Sequence, residues 1–321
     1  MKKKGFTLVE LLIVIAIIAL LMGILMPTLS MVRKIAEQAL CGTNLSGLYK
    51  AIQTYSTQYD EDYPKAGVEN EAIWRYTFKW CGPTEAWAFS RNGSGQNYQA
   101  TIGATLYLLI KYSDVGPKSF ICRGDSGASV FRISDYEDSL TTTQRDYIGG
   151  DLTKAYDFGT YAQTDGFPPA QHYSYCYQLP YGDYRIAYYI LSSASQPSLA
   201  VLADRNPYLA LNPLPTTEAG YSYPAADSIE RRGNSPSHDQ DGQNVLYNNG
   251  SVTFQEKPYC GVNYDNIYTM DTDNYTTPCP QEGDILPRTG RDRCYNEQII
   301  PQNGNDSLLL NEGENSLQVV H

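Results

Sequence analysis

An apolar run near the N-terminus constrains this chain more than any other feature. Met1-Lys2-Lys3-Lys4-Gly5 is a short basic leader, and the stretch from Phe6 to Met26 holds a single charged residue, Glu10. That stretch is about 20 residues long, the length an α-helix needs to cross a bilayer core. A carboxylate there costs on the order of a few kcal/mol near the helix centre, so Glu10 needs a partner. Two ordinary readings compete. A secretory signal peptide has a shorter apolar core followed by a small-residue cleavage site, and Pro27-Thr28-Leu29-Ser30 offers no such site. A plain signal anchor fits the length and the lysines, but it explains neither the Gly5-Phe6 junction nor Glu10. Lys2, Lys3 and Lys4 keep the leader cytoplasmic, which places the remainder outside the inner membrane despite Arg33 and Lys34.

Lys4-Gly5-Phe6-Thr7-Leu8-Val9-Glu10-Leu11-Leu12 closely resembles the class III signal of type IV pilins and type II secretion pseudopilins. The resemblance implies a prepilin peptidase that cuts after Gly5 and methylates the new amino group of Phe6. It implies that Glu10 pairs with the N-terminal amine of a neighbouring subunit, and a cation at hydrogen-bond distance removes much of the cost of a carboxylate in lipid. It also sets Pro27 where the family has a helix-kinking proline, which bends a helix by removing a backbone donor. Other pilin or pseudopilin subunits and an inner-membrane assembly machinery with a cytoplasmic ATPase are the implied partners.

Net charge is -11, from 24 Lys and Arg against 35 Asp and Glu. An acidic surface repels phosphates, so nucleic acid is not an expected partner. A hydrophobic share of 42% with 28 tyrosines argues against disorder. The seven cysteines show no C-x-x-C element, which speaks against a zinc ribbon. Export favours disulfides among them, with a thiol left over; their connectivity is open, and buried free thiols acting as small hydrophobes are the alternative.

The helical pattern continues from Leu29 to Tyr59. Leu45, Leu48, Ile52, Tyr55 and Tyr59 form one stripe at helical spacing, sufficient to bury the helix against its own head. Gly42 and Gly47 weaken it by roughly 1 kcal/mol each, and Asp60-Glu61-Asp62-Tyr63-Pro64 ends it. Residues 65–100, with Trp74, Trp80 and Trp87, carry no functional assignment. Ala100–Lys111 is a short buried helix candidate closed by Asp114-Val115-Gly116-Pro117. Ser119–Cys122, Tyr173–Tyr177 and Ser198–Ala203 are strand candidates, and 134–166 is expected to be a polar insertion. Asn244–Phe254 is expected to be a hairpin on a two-residue Asn249-Gly250 turn, with Val245, Tyr247, Val252 and Phe254 on one buried face. Beyond Pro258 the chain is expected to be a loop-rich tail with little core.

The segment His238-Asp239-Gln240-Asp241-Gly242-Gln243-Asn244-Val245-Leu246-Tyr247, with Asn249-Gly250-Ser251-Val252, resembles the C-terminal signature of the pseudopilin-like DUF1559, or "H-x9-DG", group. Phe120-Ile121-Cys122, Ser174-Tyr175 and Ala203-Asp204-Arg205-Asn206-Pro207 fit the same resemblance. Asn249 stands in place of the aspartate, with one extra residue after His238, and Arg123-Gly124 replaces the usual Pro-Ser.

Chemistry is sparsely signalled. There are three histidines, His172, His238 and His321, and no G-x-S-x-G, H-E-x-x-H or phosphate-binding glycine loop. No catalytic residue is assigned. His238 is expected to make a structural hydrogen bond to the hairpin; a metal set of His238, Asp239 and Asp241 is the weaker alternative. Cofactors are not expected, with one exception. Major pseudopilins hold calcium in a C-terminal loop, and Asp265, Asp271, Asp273 and Asn274 are hard oxygen ligands of the right kind, although solvated acidic loops are common and the spacing is not that of an EF-hand.

The resulting expectation is an α+β lollipop: a leader at 1–5, a transmembrane helix at 6–28, the periplasmic half of a long bent helix at 29–62, a head with an antiparallel sheet at 63–258, and the tail at 259–321. Its function would be a structural subunit of a type II secretion pseudopilus or a type IV pilus-like filament, held as a single-pass inner-membrane protein before assembly. A membrane-anchored or filament-tip binding protein is the alternative, with tyrosines as contact groups, and an exported enzyme the third reading.

Overall fold

The computed structural model describes residues 7–66, 102–135, 148–155, 157, 158, 172–178, 180, 191–207, 231–268, 307, 309 and 310, with the single positions 142 and 146. The architecture is α+β, a long N-terminal helix followed by a head built on an antiparallel sheet. Trp74, Trp80 and Trp87 lie outside the described residues.

Helix α1 spans Leu8–Ser56, 49 residues, or about 74 Å at 1.5 Å per residue. Thr7 caps it, and the helix runs on through Pro27. Thr28 Oγ1 donates to the Leu25 carbonyl at 2.8 Å and Ser30 Oγ to that of Pro27 at 2.9 Å. These back-bonds satisfy hydroxyls that have no other partner in an apolar stretch. Downstream, Cys41, Leu45, Leu48, Ala51, Ile52, Tyr55 and Ser56 are buried, and the Tyr55 and Tyr59 rings stack at 4.2 Å. The helix stops at Ser56. Asp60 and Glu61 then take left-handed φ values of 52° and 67°, which bring the Glu61 N–H back to the Ser56 carbonyl at 3.0 Å.

Helix α2 spans Ile102–Tyr112 and is buried continuously from Ile102 to Ile110, as expected of a helix apolar on all sides. The chain then departs from the sequence expectation. Pro117–Phe120 is a 3-10 turn, not the start of a strand. Pro117 presets the turn, and Phe120 is drawn into an aromatic cluster against Phe158 at 4.9 Å.

The sheet has the order β4-β3-β2-β1-β5. Its strands are β1 (Tyr175–Gln178), β2 (Ala200–Asp204), β3 (Gln243–Tyr247), β4 (Val252–Gln255) and β5 (Leu309–Leu310). Every pairing is antiparallel. The β3–β4 hairpin differs from the expected one. Its loop has three residues, Asn248-Asn249-Gly250, closed by Tyr247 N–H to Ser251 O at 2.9 Å and Gly250 N–H to Tyr247 O at 2.8 Å. Leu246 therefore faces Val252, and Asn244 faces Phe254. One extra loop residue moves Val252 and Phe254 to the face opposite Val245 and Tyr247, so the four do not share a face.

The face bearing Tyr175, Tyr177, Leu202 and Leu246 packs on both helices. The other face, with Cys176, Ala203 and Val245 and with Leu309 of β5 in the same cluster, is covered by Ile267 and Tyr268. This second layer corrects the view that residues beyond Pro258 contribute little core. The same holds for part of the expected polar insertion: Ile148, Ala155 and Phe158 are buried, and Phe158 meets Tyr107 edge-on at 5.2 Å.

Candidate assembly helix and buried histidine cluster

Among the described residues the head leaves the upstream part of α1 uncovered. Leu8, Val9, Leu11, Leu12, Ile13 and the apolar residues that follow through Val32 are exposed, 78% at Leu8 and 61% at Leu25 and Val32. A continuous apolar surface of this extent marks a lipid or protein contact. Among the described residues α1 is the helix long and apolar enough to cross a membrane.

Glu10 has a local role that the sequence reading missed. Its Oε2 accepts from the Thr7 backbone N–H at 2.8 Å and from Thr7 Oγ1 at 2.7 Å, while the Glu10 N–H donates to Thr7 Oγ1 at 3.3 Å. This is a capping box, two helix-start donors satisfied reciprocally by a threonine and the glutamate three residues on. The Thr-x-x-Glu spacing was its visible signal. Gly5 and Phe6 lie outside the described residues.

Where α1 reaches the head, charged side chains fasten it. Lys34 Nζ lies 2.7 Å from Asp239 Oδ2 and 3.4 Å from Asp241 Oδ2. The hydrogen bond and charge of Asp239, then those of Asp241, hold the Lys34 ammonium above its ordinary pKa. Arg231 also pairs with Asp241. Asp239 and Asp241 thus turn their carboxylates to Lys34 and Arg231. Arg33 bonds Glu37 one turn along at 2.9 Å.

Between α1 and the sheet lies a buried polar cluster. Cys41 of α1 is disulfide-bonded to Cys122, with Cα atoms 5.4 Å apart across a sequence separation of 81. Closing a loop of that size stabilises the fold by roughly 4.5 kcal/mol in a chain-entropy treatment. His238 Nε2 lies 3.1 Å from Asp204 Oδ2, 3.3 Å from Asn244 Nδ2 and 3.6 Å from Cys122 Sγ. Asp204 Oδ2 accepts from the Asn244 backbone N–H at 2.7 Å and from Asn244 Nδ2 at 3.2 Å. Burial opposes a charge on His238, but the hydrogen bond and charge of Asp204, with Glu37 and Asp239 further out, outweigh it. The imidazole pKa is raised above its ordinary value. Gly124 makes this approach feasible: a Cβ there would sit 2.0 Å from the Ser237 carbonyl oxygen and 3.1 Å from His238 Nδ1.

Cysteine, histidine and aspartate side by side invite comparison with a hydrolytic triad. In a triad the base uses one ring nitrogen for the nucleophile and the other for the acid. Here one nitrogen, Nε2, faces both Cys122 and Asp204, and the sulfur is already bonded and buried. The arrangement lacks the geometry of general-base catalysis.

Residues 1–26 match the prokaryotic N-terminal methylation motif. No curated protein and no solved structure gives a significant match to the chain. The methylation motif covers the leader and the exposed part of α1 through Met26, including Glu10, and stops short of Pro27. It marks the chain as carrying a prepilin-type N-terminus.

The remaining predicted site residues fall apart in space. His238 meets the hairpin at Asn244, three strand residues or about 10 Å before the end of β3, whereas Asn249 and Gly250 lie in the loop beyond it. Asn249 Oδ1 accepts from the Ser251 N–H at 2.9 Å and the Ser251 hydroxyl at 2.7 Å. Gly250 has φ 84°, and a Cβ there would come within 2.5 Å of the Tyr49 ring; Tyr49 donates its hydroxyl to the Asn248 carbonyl at 3.1 Å. Of the calcium candidates, Asp265 Oδ2 accepts the Ser307 N–H at 2.7 Å, and Asp271, Asp273 and Asn274 lie outside the described residues. Sequence reasoning did not select Asp204 or Asn244. The signal was Asp204-Arg205-Asn206, three polar residues at the end of an apolar strand, and all three are buried.

Proposed function

We propose that this chain is a structural prepilin-type subunit, not an enzyme. It is cut after Gly5 and methylated at Phe6 by a prepilin peptidase, and it polymerises into a type II secretion pseudopilus or a type IV pilus-like filament. One observation carries the reading: beside the methylation motif stands a helix half that is apolar on every side, wholly exposed, and interrupted only by Glu10. Each exposed Leu, Ile or Val forgoes about 1.5–3 kcal/mol of burial. The chain therefore rests in a membrane until neighbouring copies of the same helix replace the lipid. In the filament the new amine at Phe6 neutralises Glu10 of the next subunit, while Thr7 keeps the carboxylate oriented. The leader lysines hold the N-terminus cytoplasmic and send the head across the inner membrane. A cytoplasmic ATPase of the assembly machinery supplies the energy of extraction.

The test is mass spectrometry of the mature N-terminus together with filament counts for Glu10→Ala. Cleavage after Gly5, a methylated Phe6 and loss of filaments in Glu10→Ala are the expected results. A protein that still begins at Met1, or is trimmed beyond Pro27, overturns the reading. Filaments that persist without activity in Glu10→Ala would instead identify a tip-binding protein.

A further inference from the structure

We propose that Cys41, Cys122, His238 and Asp204 form a tetrahedral zinc site in the dithiol form of the protein. The same sulfurs exclude the metal once they are joined as a disulfide.

Four observations converge. One candidate ligand atom from each residue lies within 4.8 Å of all the others, and all four residues are buried. Zinc bound to sulfur at 2.3 Å and to nitrogen or oxygen near 2.0 Å requires ligand–ligand edges of roughly 3.3–3.8 Å. Cys122 Sγ to His238 Nε2 is 3.6 Å, and His238 Nε2 to Asp204 Oδ2 is 3.1 Å, so the cluster is near the required size. The convergence of sulfur and carboxylate on a single ring nitrogen, which disqualifies a triad, is what a shared ion demands. The carboxylate is also incompletely used: Asp204 Oδ1 is buried with no hydrogen-bond partner, an arrangement that ordinarily costs about 1–3 kcal/mol.

The ligand set selects the metal class. Two thiolates, an imidazole and a carboxylate suit a borderline-soft ion with no geometric demand of its own, which is zinc, rather than calcium or magnesium. Four protein ligands leave no open position, so the site is structural. Asn244 provides the outer support, fixing Asp204 with two hydrogen bonds. The four ligands come from α1, from the segment after Pro117–Phe120, from the end of β2 and from the turn before β3. The ion would staple the same helix to the same head that the disulfide does.

The chain is synthesised with both sulfurs as thiols, so a dithiol form precedes the disulfide. Zinc(II) displaces the two thiol protons and forms two Zn–S bonds with no change of oxidation state. Starting from the disulfide, a trialkylphosphine reverses the block. The S–S bond breaks, phosphorus takes oxygen from water to become the phosphine oxide, and the two water protons pass to the sulfurs.

The full-length protein in detergent micelles, reduced with the phosphine under argon, is titrated with cobalt(II) and then zinc(II). The expected result is uptake of one cobalt per chain with the thiolate charge-transfer and visible bands of a tetrahedral site, displaced by zinc and absent from the oxidised protein. His238→Gln and Asp204→Asn should each weaken cobalt binding by at least about tenfold. Alkylation mapping of the wild-type chain decides the matter without variants: zinc should slow modification of Cys41 and Cys122 selectively. Equal uptake by the oxidised and reduced forms, no stoichiometric uptake, or unchanged alkylation of Cys41 and Cys122 in zinc overturns the proposal.

Discussion

The two parts of α1 share one backbone and one helical geometry, yet they answer to different surroundings. From Leu8 to Val32 apolar side chains point in every direction and are exposed. From Cys41 to Ser56 the apolar residues keep to one stripe, and that stripe is buried. The first part suits an apolar medium on all sides, the second a core on one side and water on the other. The change falls near Arg33 and Lys34, where charge returns to the helix after Glu10 and at once finds Glu37, Asp239 and Asp241. A single helix can thus belong to two solvents when its side-chain pattern changes at a defined point.

Substitutions placed on either side of that point separate the two parts. The largest effect is expected for Leu48→Ala, which opens a cavity under the sheet and should destabilise the head by about 2–5 kcal/mol. Ile18→Ala should leave head stability within about 0.5 kcal/mol. Urea unfolding followed by tyrosine fluorescence reads both, and similar losses for the two would show that the upstream part packs on the head. The converse probe is Ile18→Lys, which should raise the cost of membrane insertion by about 2.5–3.5 kcal/mol while the urea midpoint stays fixed. Partition between membrane and soluble fractions measures it.

Gly250→Ala is a finer test of how the downstream part is held. The left-handed backbone and the Tyr49 ring both oppose a methyl group there, so a loss of about 1–3 kcal/mol is expected. Relief by a second change, Tyr49→Ala, would assign the loss to the ring rather than to the backbone. A smaller and more local loss belongs to Thr7→Ala. Loss of the cap should cost about 1 kcal/mol of helix stability, confined to the first turn. Amide exchange in micelles should quicken at residues 8–11 and remain unchanged beyond Cys41.

The division of α1 was legible because it rests on local pattern. The stripe of Leu45, Leu48, Ile52 and Tyr55 and the uninterrupted run before Pro27 need no knowledge of the rest of the chain. Strands β1 and β2 were likewise visible as short aromatic and aliphatic runs. The hairpin was found but its faces were exchanged, since Asn249-Gly250 is a turn signal that does not reveal whether Asn248 joins the loop. The layer made by Ile267 and Tyr268 was hidden because the two follow a polar stretch, Asn263-Tyr264-Asp265-Asn266, and gain their role only by packing on Cys176, Ala203 and Val245. Cys41, Cys122, Asp204 and His238 meet across long sequence separations, and no spacing rule announces such a meeting. Thr7 and Glu10 were in plain view, but the cost of a carboxylate in lipid drew attention to a neighbouring subunit and away from the nearest hydroxyl.

The Cys41–Cys122 link joins the helix to the head about one-third of the way from its C-terminal end. A tensile load that enters at the head and leaves through the upstream segment would cross this covalent joint before it reached the packing of Leu48 and Ile52. In a fibre pulled from its base, the weakest step would then be sliding between subunits, not the tearing of a rod from its own head.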